Sequence, residues 1–124
     1  MQEELFALAP EWFKRDDIRV SLMYFGFECG DGWYKLLERL IIDLKEVAPK
    51  GFEVCQVKEK YGALRFYVSG STETTDHLIQ LAEAASQKIC ERCGKRGKTR
   101  GTGWLVTLCN TCQKEREEKK KNDH

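Results

Sequence analysis

The sequence predicts an α+β fold: a helix–β-hairpin–helix body followed by a small cysteine-rich C-terminal module. Three observations predict it. Apolar residues between Trp33 and Ala48 recur at three- and four-residue steps, the period of an amphipathic helix. Ala63 to Ser69 alternates side-chain character after a glycine-containing turn, the pattern of a half-buried strand. Four of the six cysteines fall in two Cys-x-x-Cys pairs near the C-terminus. The 124 residues suit one compact domain, or a small domain with an appendage. With 41% hydrophobic and 33% charged residues, the chain holds enough apolar material for a core, and composition excludes a disordered polymer. No stretch approaches the ~18–20 uninterrupted apolar residues that a membrane span needs, so no membrane role is expected.

In chain order, Glu3 to Ala9 reads as one or two helical turns, and Pro10 marks a break or a new start. Trp12, Phe13, Leu22, Met23, Tyr24, Phe25 and Phe27 are a dense apolar supply expected to cover one side of the core. Asp31, after Gly30, is placed to cap the first long helix. Its buried stripe is Trp33, Leu36, Leu37, Leu40, Ile41, Leu44, Val47 and Ala48, and Pro49 with Gly51 ends it. Phe52 to Lys58 and Ala63 to Ser69 are the two strands, joined by the loop Glu59-Lys60-Tyr61-Gly62. Broken alternation at Cys55 and Gln56 predicts a bulge. Thr75 or Asp76 starts the second helix, with the stripe Leu78, Leu81, Ala82, Ala85 and Ile89 running straight into Cys90.

Cys90-x-x-Cys93 and Cys109-x-x-Cys112 are separated by fifteen residues. Two such pairs match a four-thiolate structural zinc site, because each pair supplies two sulfurs at ~2.3 Å to one edge of a tetrahedron. Gly94 permits the tight turn after the first pair. The acidic start, Met1-Gln2-Glu3-Glu4, is not followed by a signal-peptide run. A cytoplasmic setting is therefore expected, where disulfides are disfavoured. The division expected is an α+β body over residues 1–89 and a four-cysteine zinc-binding module with a C-terminal helix over 90–124, the latter too short to fold without its metal.

The segment between the pairs carries Gly97, Gly101 and Gly103 and the strand-like run Trp104 to Leu108, consistent with a short hairpin. Gln113 to Lys121 is a run of strong helix formers. Knuckle, hairpin and a helix bearing the second pair resemble a treble-clef zinc finger rather than a zinc ribbon. His-metal finger nucleases resemble the same module, but they place a histidine on the hairpin and a further ligand on the helix. Here the histidines are His77 and His124, and no His, Asp or Glu lies between Cys93 and Cys112. The nuclease reading fails on inventory, and a non-enzymatic protein is expected.

Charge is unevenly distributed. From Cys90 to His124 there are ten Lys/Arg against five Asp/Glu, a formal +5, whereas the first 89 residues hold eleven against fifteen, or −4. Four thiolates around a dication leave the module about +3. Lys95, Arg96, Lys98, Arg100 and Trp104 are the candidate contact surface for nucleic acid or a protein partner. Lys58, Lys60, Arg65 and Tyr67 on the body hairpin are an alternative site for a small anionic ligand; solvated strand residues are the plainer explanation there. Cys29-Gly30-Asp31-Gly32 suggests an anion site at a helix start, but Asp31 would fill it. Cys29, with no nearby histidine, reads as a half-buried thiol and Cys55 as core filler.

Cys29-Gly-Asp-Gly-Trp33, Val57-Lys-Glu-Lys-Tyr-Gly-Ala-Leu-Arg-Phe-Tyr67, the Cys90 knuckle and Gly103-Trp104 before Thr107-Leu108-Cys109 together resemble small uncharacterised proteins encoded by bacteria and their phages. The resemblance implies a bacterial or phage setting and carries no activity. The expected function is a non-enzymatic protein with one structural Zn2+ that binds a macromolecule, either nucleic acid or a host protein. The alternative is a phage-type inhibitor or sequestering protein that captures a nucleotide. No motif encodes an oligomeric state.

Overall fold

The computed structural model describes residues 2–122; His124 lies outside them. The elements are α1 (Gln2–Leu8), β1 (Phe27–Glu28), α2 (Tyr34–Lys45), β2 (Glu53–Lys60), β3 (Ala63–Ser69), α3 (Glu73–Ser86), β4 (Lys98–Arg100), β5 (Val106–Leu108) and α4 (Asn110–Asn122). Single 3-10 turns cover Pro10–Trp12, Leu22–Phe25 and Asp31–Trp33. No helix among the described residues is long and apolar enough to cross a membrane.

β1, β2 and β3 form one sheet in that order, parallel between β1 and β2 and antiparallel between β2 and β3. The hairpin and its bulge between Val54 and Gln56 match expectation. The loop does not: both strands run on to pair Lys60 with Ala63, leaving Tyr61-Gly62 as a two-residue turn. Both turn residues have positive φ, 56° and 80°, the backbone that lets a tight hairpin follow the sheet's twist. The parallel strand β1 has no signature in the sequence, since two residues carry no period. Phe13 adds an isolated parallel bridge to Val54.

α1, α2 and α3 contribute to a single core with the sheet. Phe6 packs on Phe13 and Phe27 with ring centroids 5.1 and 4.9 Å apart, and Trp12 packs on Phe52 at 4.8 Å. The N-terminal apolar supply is only partly spent in this way. Leu22, Tyr24 and Phe25 are exposed, because the single 3-10 turn that holds them points only Met23 inward.

Four further expectations are corrected. Asp31 caps nothing: it lies within a 3-10 turn, and no side chain caps α2. α3 starts at Glu73, under a reciprocal Thr72–Thr75 capping box. Its buried face is Thr75, Ile79, Ala82 and Ser86, while Leu81 is 55% exposed. The helix stops at Ser86 and does not reach Cys90. Ser86 is buried because it has polar work there. Its hydroxyl donates to the Glu83 carbonyl at 2.6 Å and accepts the Leu64 N–H at 2.9 Å. Glu83 Oε2 accepts the next outward N–H, from Phe66, at 3.0 Å. α3 therefore satisfies the outer rim of β3 with side chains.

Ser86→Ala leaves the buried Leu64 N–H without an acceptor, and urea unfolding should show a loss of about 1–3 kcal/mol. Leu81→Lys, a change on the exposed side of the same helix, should stay within about 0.5 kcal/mol of the parent.

Candidate metal centre

The segment from Lys88 to the start of the last helix is built from short pieces. Cys90 N–H donates to the Lys95 carbonyl at 2.7 Å, Gly97 N–H to Lys88 at 2.9 Å, and Ile89 bridges Arg96. This small ladder closes a tight turn over Cys90–Gly94, sealed by Gly94 N–H to the Cys90 carbonyl at 2.9 Å. β4 and β5 follow as an antiparallel hairpin, pairing Lys98 with Leu108 and Arg100 with Val106. Trp104 precedes the strand rather than belonging to it. Cys109 sits immediately before α4 and Cys112 in its first turn. The Cys109 carbonyl accepts Gln113 N–H at 3.0 Å and its Sγ accepts Cys112 N–H at 3.4 Å. A sulfur thus takes the role that a serine or aspartate oxygen plays at a helix start, where the helix dipole favours negative charge.

The four sulfurs of Cys90, Cys93, Cys109 and Cys112 all lie within 4.8 Å of one another, with Cys93 and Cys109 3.6 Å apart. Metal–thiolate bonds of ~2.3 Å set tetrahedral edges of about 3.8 Å, so the donor set fits one ion. Cys93 is exposed and the other three are buried.

The thiols are electrostatically divided. Burial opposes the Cys90 thiolate, but backbone N–H groups of Cys109, Cys93 and Arg92 outweigh it and bring the thiol down to about 6. The Cys112 N–H lowers Cys109 as well. Cys112 is pushed up to about 12 by burial and by the neighbouring sulfurs. For Cys93 the Lys95 N–H favours the thiolate, yet burial and the Cys90 and Cys109 sulfurs leave it raised. Four sulfurs this close cannot all ionise unaided, and a bound dication removes the conflict. The module's buried apolar set is Cys90, Cys109, Cys112 and Leu108, with Val106 against them. Among the described residues it has no other core.

A feature that the sequence reading missed is the seat of this turn. Glu91 is bonded through three groups: its N–H to the Thr107 carbonyl at 3.0 Å, its carbonyl from Gly32 N–H at 2.7 Å, and its carboxylate from Gly30 N–H at 2.8 Å. Burial raises the Glu91 pKa, partly offset by the Gly30 N–H. The anion position before α2 is thus filled by Glu91 from the metal module rather than by Asp31. Trp33, fully buried, donates its indole N–H to the Ile89 carbonyl at 2.9 Å. A Cβ on Gly32 would collide with the Cys90 carbonyl oxygen, so only glycine admits the turn. The signal was present in Gly30-Asp31-Gly32-Trp33, but it reads as a helix start when no partner is in view.

The other singled-out residues fall into separate places. Lys88, Arg96, Lys98 and Arg100 line one groove of about 520 Å³ with Gln87, Cys109 and Asn110. Arg100 is anchored there, donating to the Leu108 carbonyl at 3.1 Å and to Asn110 Oδ1 at 2.7 Å. Lys95 is exposed but does not line the groove, and Trp104 lines a different cleft. On the body, Lys58 pairs directly across from Arg65, and Tyr67 across from Gln56, all on the sheet face opposite Leu64 and Phe66. Cys29 is half-buried, as expected, and burial with the Glu91, Asp31 and Glu59 carboxylates pushes its thiol up to about 12. It is a neutral thiol at neutral pH. Cys55 is half-buried at the bulge rather than within the core, and His77 lies exposed on α3.

Gly32→Ala should lower the melting temperature, with a loss of at least about 2 kcal/mol, and should weaken metal retention against a chromophoric chelator. Gly103→Ala, where an added Cβ meets nothing within 4 Å, should change neither. Comparison with protein-family models, with curated proteins and with solved structures finds no match to the chain.

Proposed function

We propose that this chain is a non-enzymatic, zinc-stapled nucleic-acid-binding protein. The metal is structural, and the C-terminal module is of treble-clef type. Four thiolates in a tetrahedral cluster suit Zn2+ and leave no open position for substrate water. The order of tight turn, β4–β5 hairpin and α4 carrying Cys112 supports the treble-clef reading, in a protein of bacterial or phage origin acting in the cytoplasm. In this role the zinc supplies no chemistry beyond fixing backbone. Cys90, Cys93, Cys109 and Cys112 hold it, and what they fix is the hairpin that presents the cations.

The observation that carries the binding assignment is the groove of Lys88, Arg96, Lys98 and Arg100. Four cations line it with no carboxylate among them, and among the described residues none of the four forms an ion pair. Like charges gathered on one concave surface repel each other and focus a positive potential outward. A polyanion relieves that repulsion and releases its own counterions.

A second reading has one observation in its favour. Lys58 and Arg65 face each other directly across the hairpin, and like charges so placed destabilise a sheet. A small anion such as a nucleotide would relieve them, with Lys60 and Tyr67 on the same face.

Anisotropy titrations of a labelled oligonucleotide across a salt series separate the two. Affinity should fall with salt at a log–log slope of about −0.7 to −0.9 per phosphate engaged, and Arg96→Glu with Lys98→Glu should flatten that slope by about 2. Arg65→Glu should leave it unchanged. A flat salt dependence in the parent, or a nucleotide that raises its melting temperature through Lys58 and Arg65, would favour the second reading. Cys93→Ser should lower the zinc count from one in native mass spectrometry and unfold the C-terminal quarter. Equal melting with no zinc in either form would sink the metal assignment.

A further inference from the structure

From the cleft between the Tyr61-Gly62 turn and the loop before β5, we infer that this protein takes up an unpaired base, stacking it between Tyr61 and Trp104. Its preferred polyanion is then single-stranded. The inference rests on the nucleic-acid reading above and deepens it.

The cleft holds about 230 Å³ and is lined by Glu59, Lys60, Tyr61, Gly103, Trp104 and Leu105. That is room for one planar group rather than for a drug-sized ligand. Its two large walls are the exposed aromatics of two different hairpins, Tyr61 at 63% and Trp104 at 77% exposure. The aromatic faces would suit the π-face of any base. The Lys60 ammonium lies over one face of the Tyr61 ring, 5.4 Å from its centroid, so a base would stack on the other face with a cation close by. Glu59, the carboxylate in the lining, is tied back into the turn by accepting Gly62 N–H at 2.7 Å.

Two details argue that the placement is maintained. Tyr61 has φ 56°, a left-handed conformation that asparagine, aspartate or glycine adopts far more readily in this kind of turn. A strained, exposed aromatic serves neither the turn nor the core. The turn is also fastened to the metal module: the Thr107 hydroxyl donates to the Gly62 carbonyl, and Thr99 and Thr107 share a further hydrogen bond of 2.8 Å. The turn that carries Tyr61 is thereby tied to β5, the strand that follows Trp104, across the body–module boundary. The same β4–β5 hairpin lines the basic groove with Lys98 and Arg100, so backbone and base sites share one support. In a duplex the bases already stack on one another, and no face is free to enter the cleft.

Trp104 reports on its own occupancy, because Trp12 and Trp33 are 7% and 0% exposed. Adding oligothymidylate to the full chain should quench the exposed tryptophan emission in step with binding. Trp104→Ala and Tyr61→Asn should each weaken that binding about tenfold or more, while affinity for a duplex of equal length changes less than about twofold. Tyr61→Asn should at the same time raise the melting temperature by a few degrees, since Asn-Gly is the preferred pair for the turn. If the parent binds oligothymidylate with unaltered tryptophan emission and both variants match it, the cleft has no such role and the groove alone stands. If the parent binds no oligonucleotide even at low salt, the nucleic-acid reading itself falls and this inference with it.

Discussion

Everything in the C-terminal third hangs on how one peptide, Glu91, is held. Its N–H, carbonyl and carboxylate each make a hydrogen bond, one inside the module to Thr107 and two into the loop before α2. The carboxylate–amide bond is of the charge-assisted kind, stronger than a neutral pair. Glu91 lies between Cys90 and Cys93, so a metal held by the cysteines would pull on atoms adjacent to those the body already holds. The metal cluster orders the cysteines among themselves, and Glu91 with Trp33 orders the cluster relative to the body. Neither suffices alone: the module's buried set offers almost no apolar surface, and the body's core ends at Trp33 and Ile89.

The parts of this arrangement that were legible in the sequence are those encoded within a few residues. α2 shows its stripe, β2 and β3 their alternation and bulge, and the cysteine pairs their spacing. Each is a local period that needs no knowledge of a partner. What escaped was held by distant or polar contacts. β1 is too short to carry a period, and its partner lies thirty residues on. Ser86 and Thr75 carry no hydropathy signal for the buried stripe of α3, and Thr75 reads as a helix start, yet both are buried and hydrogen bonded. Leu81 errs the opposite way, apolar yet exposed, since hydropathy cannot tell which way a helix is rolled by the hydrogen bonds it must make. Lys95, Arg96, Lys98, Arg100 and Trp104 look like one strip in sequence because they lie within ten residues. Folding the hairpin sends Arg96, Lys98 and Arg100 to one side and Trp104 to another.

That separation matters for how a small protein handles a polymer. An electrostatic groove grips any phosphate chain, and its affinity varies with salt rather than with sequence. An aromatic cleft adds shape without much sequence preference. With the two on different sides of one hairpin, the proposed function would join electrostatic strength to a preference for strand state without base-edge readout. Rigidity is the common requirement, and a metal held by the four cysteines would supply it where the chain is too short to build a core.

The rim of β3 has a consequence for the protein's life in solution. Strand edges with outward-pointing N–H groups recruit other strands, and long exposed edges are where chains begin to assemble into fibres. Here Ser86 and Glu83 occupy the Leu64 and Phe66 donors from the side. On the far side of the sheet, β1 and the bridge from Phe13 to Val54 lie against β2. A three-stranded sheet is an inviting template for self-templated growth, and this one offers little ladder to extend. Under the proposed function, copies crowded along one polyanion would meet sheets whose edges are already occupied, and strand-to-strand assembly between them would have little to start from.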